Sequence, residues 1–177
     1  RRHAAALRTH MSPPGRPKGE YRSAQHEGIA LSAPAAILAE DEPILRGELR
    51  ELLAAQWPEL TIAAEAEDGL AAAEAIAAHA PDILFLDIEM PGLNGLEVAR
   101  RASGKCHVVF VTAYDKYAVA AFEQGAVDYV MKPFSAARLA TAVARLKDKV
   151  ARAPADLDGL LRTLADAAKG PKEYLRW

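Results

Sequence analysis

At 177 residues, 51% of them hydrophobic, the chain has room for one ordinary domain plus some tail. Its formal net charge of −2 is unevenly divided: residues 1–35 hold six Lys/Arg against two Glu, and the remainder holds 16 basic against 22 acidic residues, which excludes a basic nucleic-acid surface on the folded part. A single cysteine, Cys106, excludes an internal disulfide, and no apolar run approaches the ~18–20 residues of a membrane helix, so the expected location is the cytoplasm, with no membrane partner.

Residues 1–33 are rich in Pro and Gly and lack periodicity, so they read as a flexible leader. Its histidines His3, His10 and His26 have no regular ligand spacing. From Ala35 the text alternates between short apolar runs and helical periods. A strand over 35–39 runs into Glu40-Asp41-Glu42, and Ile44, Leu45, Leu49, Leu52 and Leu53 recur at helical spacing up to Trp57-Pro58. A second strand over 60–66 meets the Asp68-Gly69 turn, and an alanine-rich helix continues to His79. The apolar run 83–86 is a third strand that delivers Asp87; Pro91-Gly92 turns the chain into a short helix over 95–102. A fourth strand over 108–111 ends at Thr112, and 116–124 is predicted helical with Gly125 as C-cap. A fifth strand over 127–131 precedes Lys132-Pro133-Phe134, and Ser135 caps a helix over 136–152.

The strands are short and apolar on both faces, as in a parallel sheet covered by helices. Right-handed crossovers then bring every strand C-terminus to one edge, where such sheets bind ligands. That edge collects Glu40 and Asp41 from the first strand, Asp87 from the third, Thr112 from the fourth and Lys132 from the fifth. Three carboxylates within ~5 Å repel one another by ~3 kcal/mol per pair at an effective dielectric near 20. A divalent cation offsets that repulsion, and an all-oxygen set suits Mg²⁺ or Mn²⁺ and not zinc. A carboxylate beside such an ion can act as a nucleophile toward a phosphoryl group, with Lys132 and Thr112 contacting its other oxygens. A hydrolase of the haloacid-dehalogenase class would want a second Asp two residues after the first; that position here is Glu89.

The segments Leu38-Ala39-Glu40-Asp41-Glu42, Leu86-Asp87-Ile88-Glu89-Met90-Pro91-Gly92, Val111-Thr112-Ala113 and Tyr129-Val130-Met131-Lys132-Pro133-Phe134 resemble the signature blocks of response-regulator receiver domains. The resemblance implies an α/β, flavodoxin-like (βα)₅ doubly wound parallel sheet with strand order 2-1-3-4-5. It implies a receiver over 34–152 and a linker helix that begins a truncated output domain over 153–177. Leu157, Leu160, Leu161 and Leu164 form the apolar stripe of that helix.

Carried across, Asp87 is the phospho-acceptor. Asp41 and Asp87 ligate Mg²⁺ by their carboxylates, Glu89 by its backbone carbonyl, and Glu40 through water. Lys132 bonds the phosphate, Ala113 leaves room for it, Thr112 is the switch hydroxyl and Tyr129 the switch aromatic, whose ring is expected to move inward when Thr112 does. The implied partners are a sensor histidine kinase and a second copy, docked through the fourth helix, fifth strand and fifth helix. The stretches around Asp87 and over 112–119 look most like receivers of LytTR-type transcription regulators, in which DNA is bound only by the output domain.

Overall fold

The computed structural model describes residues 32–116, 118, 126–152, 159, 161, 162 and 166. Strands β1 (Ala35–Ala39), β2 (Thr61–Ala66), β3 (Ile83–Leu86), β4 (His107–Thr112) and β5 (Asp128–Met131) form one sheet in the order β2-β1-β3-β4-β5. Every neighbouring pair is parallel. This is the flavodoxin-like arrangement expected from the sequence. The β1–β2 ladder slips by one residue between Ala36 and Ile37.

Alternation sorts the strand side chains onto two faces. Ile37, Leu84, Leu86, Val108, Phe110 and Tyr129 point to one face. That face is covered by helices α2 (Gly69–His79) and α3 (Gly95–Ala102), through residues such as Ala72, Ile76, Val98 and Ala102. Leu38, Ile83, Phe85, Val109, Val111 and Val130 point to the other. There α1 (Pro43–Gln56) and α4 (Ala136–Lys149) lay down Leu49, Leu53, Leu139, Val143 and Leu146 at helical spacing. Phe85, Phe110 and Leu139 are among the largest fully buried side chains, so truncating one to Ala costs about 2–5 kcal/mol.

Local chemistry sets the helix starts. Pro43 occupies the first turn of α1, where a missing N–H costs nothing. Asp68 caps α2 by accepting from the Ala71 N–H at 2.7 Å. Asn94 and Glu97 form a reciprocal capping box on α3, each bond 3.0 Å. Ser135 accepts from the Arg138 N–H at 3.1 Å and starts α4.

Several boundaries differ from the sequence reading. β2 begins one residue late because the Leu60 N–H closes a turn on the Trp57 carbonyl. β4 begins earlier, at His107, which pairs with Ile83, and β5 begins at Asp128. Helix α4 stops at Lys149 because the Arg152 N–H bonds the Lys149 carbonyl, the tighter three-residue spacing. The predicted leader and the helix over 116–124 lie outside the described residues apart from Ser32, Ala33, Lys116 and Ala118. So does the segment from 153 on, except that Gly159, Leu161, Arg162 and Asp166 are helical and Leu161 is buried in the same apolar cluster as Tyr129. Among the described residues no helix is long and apolar enough to cross a membrane.

Candidate functional site

Backbone hydrogen bonds at the strand tips assemble the site. The Asp87 N–H donates to the Ala39 carbonyl at 2.9 Å, which sets the end of β3 beside the end of β1. The Glu40 N–H donates to the Ala66 carbonyl at 3.0 Å, and the Lys132 N–H to the Thr112 carbonyl at 2.9 Å. Carboxylate oxygens of Glu40, Asp41 and Asp87 come within 4.8 Å of one another. Asp87 and Glu40 are buried and Asp41 is half-buried, so the acidic cluster opens outward on the Asp41 side. A cavity of about 510 Å³ lies there, lined by Asp41, Met90, Asn94, Leu96 and Tyr114 among others.

Lys132 reaches into the cluster. Its ammonium lies 2.8 Å from Asp87 Oδ2 and 2.7 Å from Glu40 Oε2, with Glu42 farther off at 3.7 Å. Burial works against the ammonium, but the hydrogen bonds and charges of Asp87 and Glu40 outweigh it and raise its pKa. Glu40 moves the other way for a carboxylate: burial raises its pKa despite the Lys132 bond, and the Asp87 charge adds to the rise. Three clustered carboxylates with only hard oxygen donors fit a small divalent cation such as Mg²⁺, with Lys132 supplying part of the compensation. The lone thiol does not compete for this chemistry: Cys106 is buried, and burial with the Asp82 charge pushes it up to about 11.

The remaining predicted residues surround this core. Asp87 Oδ1 accepts from the Glu89 N–H at 3.2 Å; the Glu89 side chain is exposed and takes no part in the acidic cluster. Thr112 is fully buried, and its hydroxyl accepts from the Tyr114 N–H at 3.4 Å. Ala113 next to it is exposed. Tyr129 was expected to swing inward as the switch operates. The structure has its ring already inside, 3% exposed, tilted against Phe110 at 5.9 Å, with its hydroxyl donating to the Tyr114 carbonyl. The cause is the pleat: Tyr129 alternates onto the same face as Phe110, where packing and one hydrogen bond satisfy both ends of the side chain.

Two supports escaped the sequence reading. Arg46 Nη1 donates to the Glu40 carbonyl at 2.6 Å and braces the β1 tip from α1. Gly95 lies so close to the β3 exit that a Cβ there would meet the Asp87 carbonyl oxygen at 2.0 Å, while its N–H donates to the Ile88 carbonyl at 2.8 Å. A glycine three residues after Pro91-Gly92 was a legible signal for such an approach.

Comparison with known proteins agrees with this architecture. The sequence pattern of the response regulator receiver domain matches residues 36–144. An uncharacterized response regulatory protein of Vibrio cholerae is 48% identical over 133 residues, covering 73% of this chain and 51% of that protein. The transcriptional regulatory protein BtsR of Escherichia coli K12 is 38% identical over 115 residues, covering 64% of this chain and 48% of BtsR. The chain thus spans about half the length of the curated relatives it matches. Among solved structures, the response regulatory domain of mrkE from Klebsiella pneumoniae superposes with a TM-score of 0.61 at 31% identity, covering 66% of this chain and 98% of that one. The receiver domain of AraT from Geobacillus stearothermophilus gives 0.61 at 35% identity, covering 67% and 96%.

Proposed function

The chain belongs to the response regulator receiver family, and on that premise we propose that it is a phosphorylation switch in which Asp87 accepts a phosphoryl group from a sensor histidine kinase. One observation carries the reading: the carboxylate oxygens of Glu40, Asp41 and Asp87 converge within 4.8 Å while the Lys132 ammonium stands 2.8 Å from the proposed acceptor.

Asp41 and Asp87 would hold Mg²⁺ through their carboxylates, Glu89 through its backbone carbonyl and Glu40 through a water. When bound, the ion supplies positive charge against the phosphoryl oxygens. A carboxylate oxygen of Asp87 attacks phosphorus of a phosphohistidine. The new O–P bond forms as the N–P bond breaks, and the electron pair leaves with the imidazole nitrogen. No general base is required, because a carboxylate is already the nucleophile. Lys132, held beside Asp87 before the event, is placed to bond a phosphoryl oxygen after it. The exposed Ala113 leaves space beside the group, and the Thr112 hydroxyl, which accepts from the Tyr114 N–H, turns to donate its own proton to a phosphoryl oxygen.

The activated surface is the one containing β5 and α4, and its readout is pairing of two copies. The output is transcriptional control through a LytTR-type DNA-binding domain, in the cytoplasm. The likeness to BtsR, a protein named as a transcriptional regulator, supports an output of this kind.

The test is labelling by a small acyl phosphate with Mg²⁺. The wild-type chain gains one phosphoryl group. Asp87→Asn gains none, and chelating the metal abolishes labelling of the wild type. Stoichiometric labelling of Asp87→Asn moves the acceptor elsewhere.

A further inference from the structure

A second cavity, of about 550 Å³, lies between the ends of α2 and α3, at the sheet edge opposite the phosphoryl site. Its floor is Ala73, Ile76 and Ala77 of α2, with Pro81 and Cys106, which stand just before β3 and β4. The 6 residues of β4, roughly 20 Å of strand, separate Cys106 from the Thr112 end.

Shape, lining and charge together define an occupant. The volume falls in the range of small-molecule sites, roughly 300–1,000 Å³. Ala73, Ala77 and Ala80 follow one another along α2, so the trough runs about 10 Å beside that helix. Their methyl groups leave open the space that longer side chains would fill. A narrow apolar trough of this form suits a linear hydrocarbon chain.

The remaining lining residues are cations, Arg101 and Lys105, both exposed. Among the described residues neither has an ion-pair partner, and no carboxylate lines the cavity. Asp82, nearby in sequence, is engaged by the Ala35 N–H at 2.8 Å. A cation in the last turn of α3 offsets the helix dipole, but Arg100 already does so, and Lys105 lies beyond the helix. Two cations at the rim of an apolar trough, in a body that is otherwise acidic, complement an anionic head on an apolar tail. Helices α2 and α3 both end here, and their carbonyl ends disfavour a dianion such as phosphate. A carboxylate, with a single charge and two oxygens for the arginine fork, is the better match. The Cys106 thiol, pushed up to about 11, stays protonated at neutral pH, so the contact is non-covalent.

We propose that this trough binds a medium-chain fatty acid, with its tail along α2 over Ala73 and Ala77 and its carboxylate on Arg101 and Lys105. The site is separate from Asp87 and does not depend on the phosphorylation reading.

The test titrates decanoate, below its micelle concentration, into the full chain and reads calorimetry and amide NMR shifts. Decanol, a tail of the same length without the charge, is the comparison. Decanoate saturates at one equivalent and shifts the amides of 73–81 and 101–106. Decanol binds about five-fold or more weakly. The double variant Arg101→Gln/Lys105→Gln loses a similar factor for decanoate and binds decanol as the wild type does. Ala77→Leu fills the trough from a position that is exposed on α2, keeps a good helix former, and abolishes saturable binding of both ligands. The two variants act independently, so either one decides the matter should the other fold poorly. Non-saturating binding to the wild type, undiminished decanoate affinity in the charge variant, or saturable binding by Ala77→Leu overturns the proposal. Amide shifts in the trough that follow protein concentration and are indifferent to decanoate give it to a second copy instead, and overturn the proposal equally.

Discussion

Lys132 is the residue on which the charge balance of the site turns. Its ammonium touches both Asp87 and Glu40, and removing it leaves two buried carboxylates facing each other. Breaking a buried pair from one side costs ~3 kcal/mol or more. Lys132→Ala is therefore expected to lower unfolding free energy in urea by about that amount without metal. Mg²⁺ should then restore more stability to the variant than it adds to the wild type, since the vacated charge deepens the acidic well. Equal Mg²⁺ stabilisation of both would show that Lys132 and the ion do not share one site. The carboxylates and Lys132 were legible as residues because each follows a strand. The direct Lys132–Glu40 contact was not, because it depends on side-chain reach between the tips of β1 and β5, which have two strands between them in the sheet.

At the scale of elements, two glycines separate helix propensity from site geometry. Gly47 lies within α1 and a Cβ there would find only the end of the Arg50 side chain, at 3.8 Å. Gly47→Ala should stabilise by about 0.5–1 kcal/mol, the usual gain of removing a helical glycine. Gly95 begins α3, and its Cβ would strike the Asp87 carbonyl. Gly95→Ala should destabilise by about 1–3 kcal/mol and weaken Mg²⁺ binding, because the β3–α3 loop must move. Calorimetry with and without Mg²⁺ checks both. The elements themselves were readable: apolar runs over 35–39 and 83–86 became β1 and β3, and the Ser135 cap marks a real helix start, whereas the caps supplied by Asp68, read only as part of a turn, and by Asn94 were not read. The buried Asp128–Arg138 ion pair was not readable. Asp128 resembles any polar residue beginning a strand, and its partner lies ten residues on in another element, where only the packing of α4 against the edge brings them together.

For the whole molecule, the ionisable groups predict the shape of the pH–stability curve. Burial raises the Asp128 carboxyl, but the Arg138 bonds, the Tyr129 N–H and the charges of Arg138 and Arg145 bring it below its ordinary 3.8. A depressed carboxyl stabilises fully above its unfolded value and loses that contribution as pH falls through the folded one. Lys132, raised above 10.5, stabilises fully below that value and loses the contribution as pH rises through the folded one. Glu40, raised above 4.5, acts oppositely to Asp128 and costs stability as pH climbs through its range. Asp128→Asn should therefore flatten the loss of unfolding free energy as pH falls below the ordinary 3.8, measured by urea titration at each pH. An unchanged acid limb would remove Asp128 from the account. The reading of the phosphoryl site is tested most directly by locating the phosphoryl group itself. After acyl-phosphate treatment with Mg²⁺, borohydride converts an aspartyl phosphate to homoserine, which peptide mass spectrometry places in the chain. The account predicts homoserine at position 87 and none when Mg²⁺ is withheld; homoserine at another aspartate, or at 87 regardless of the ion, would contradict it.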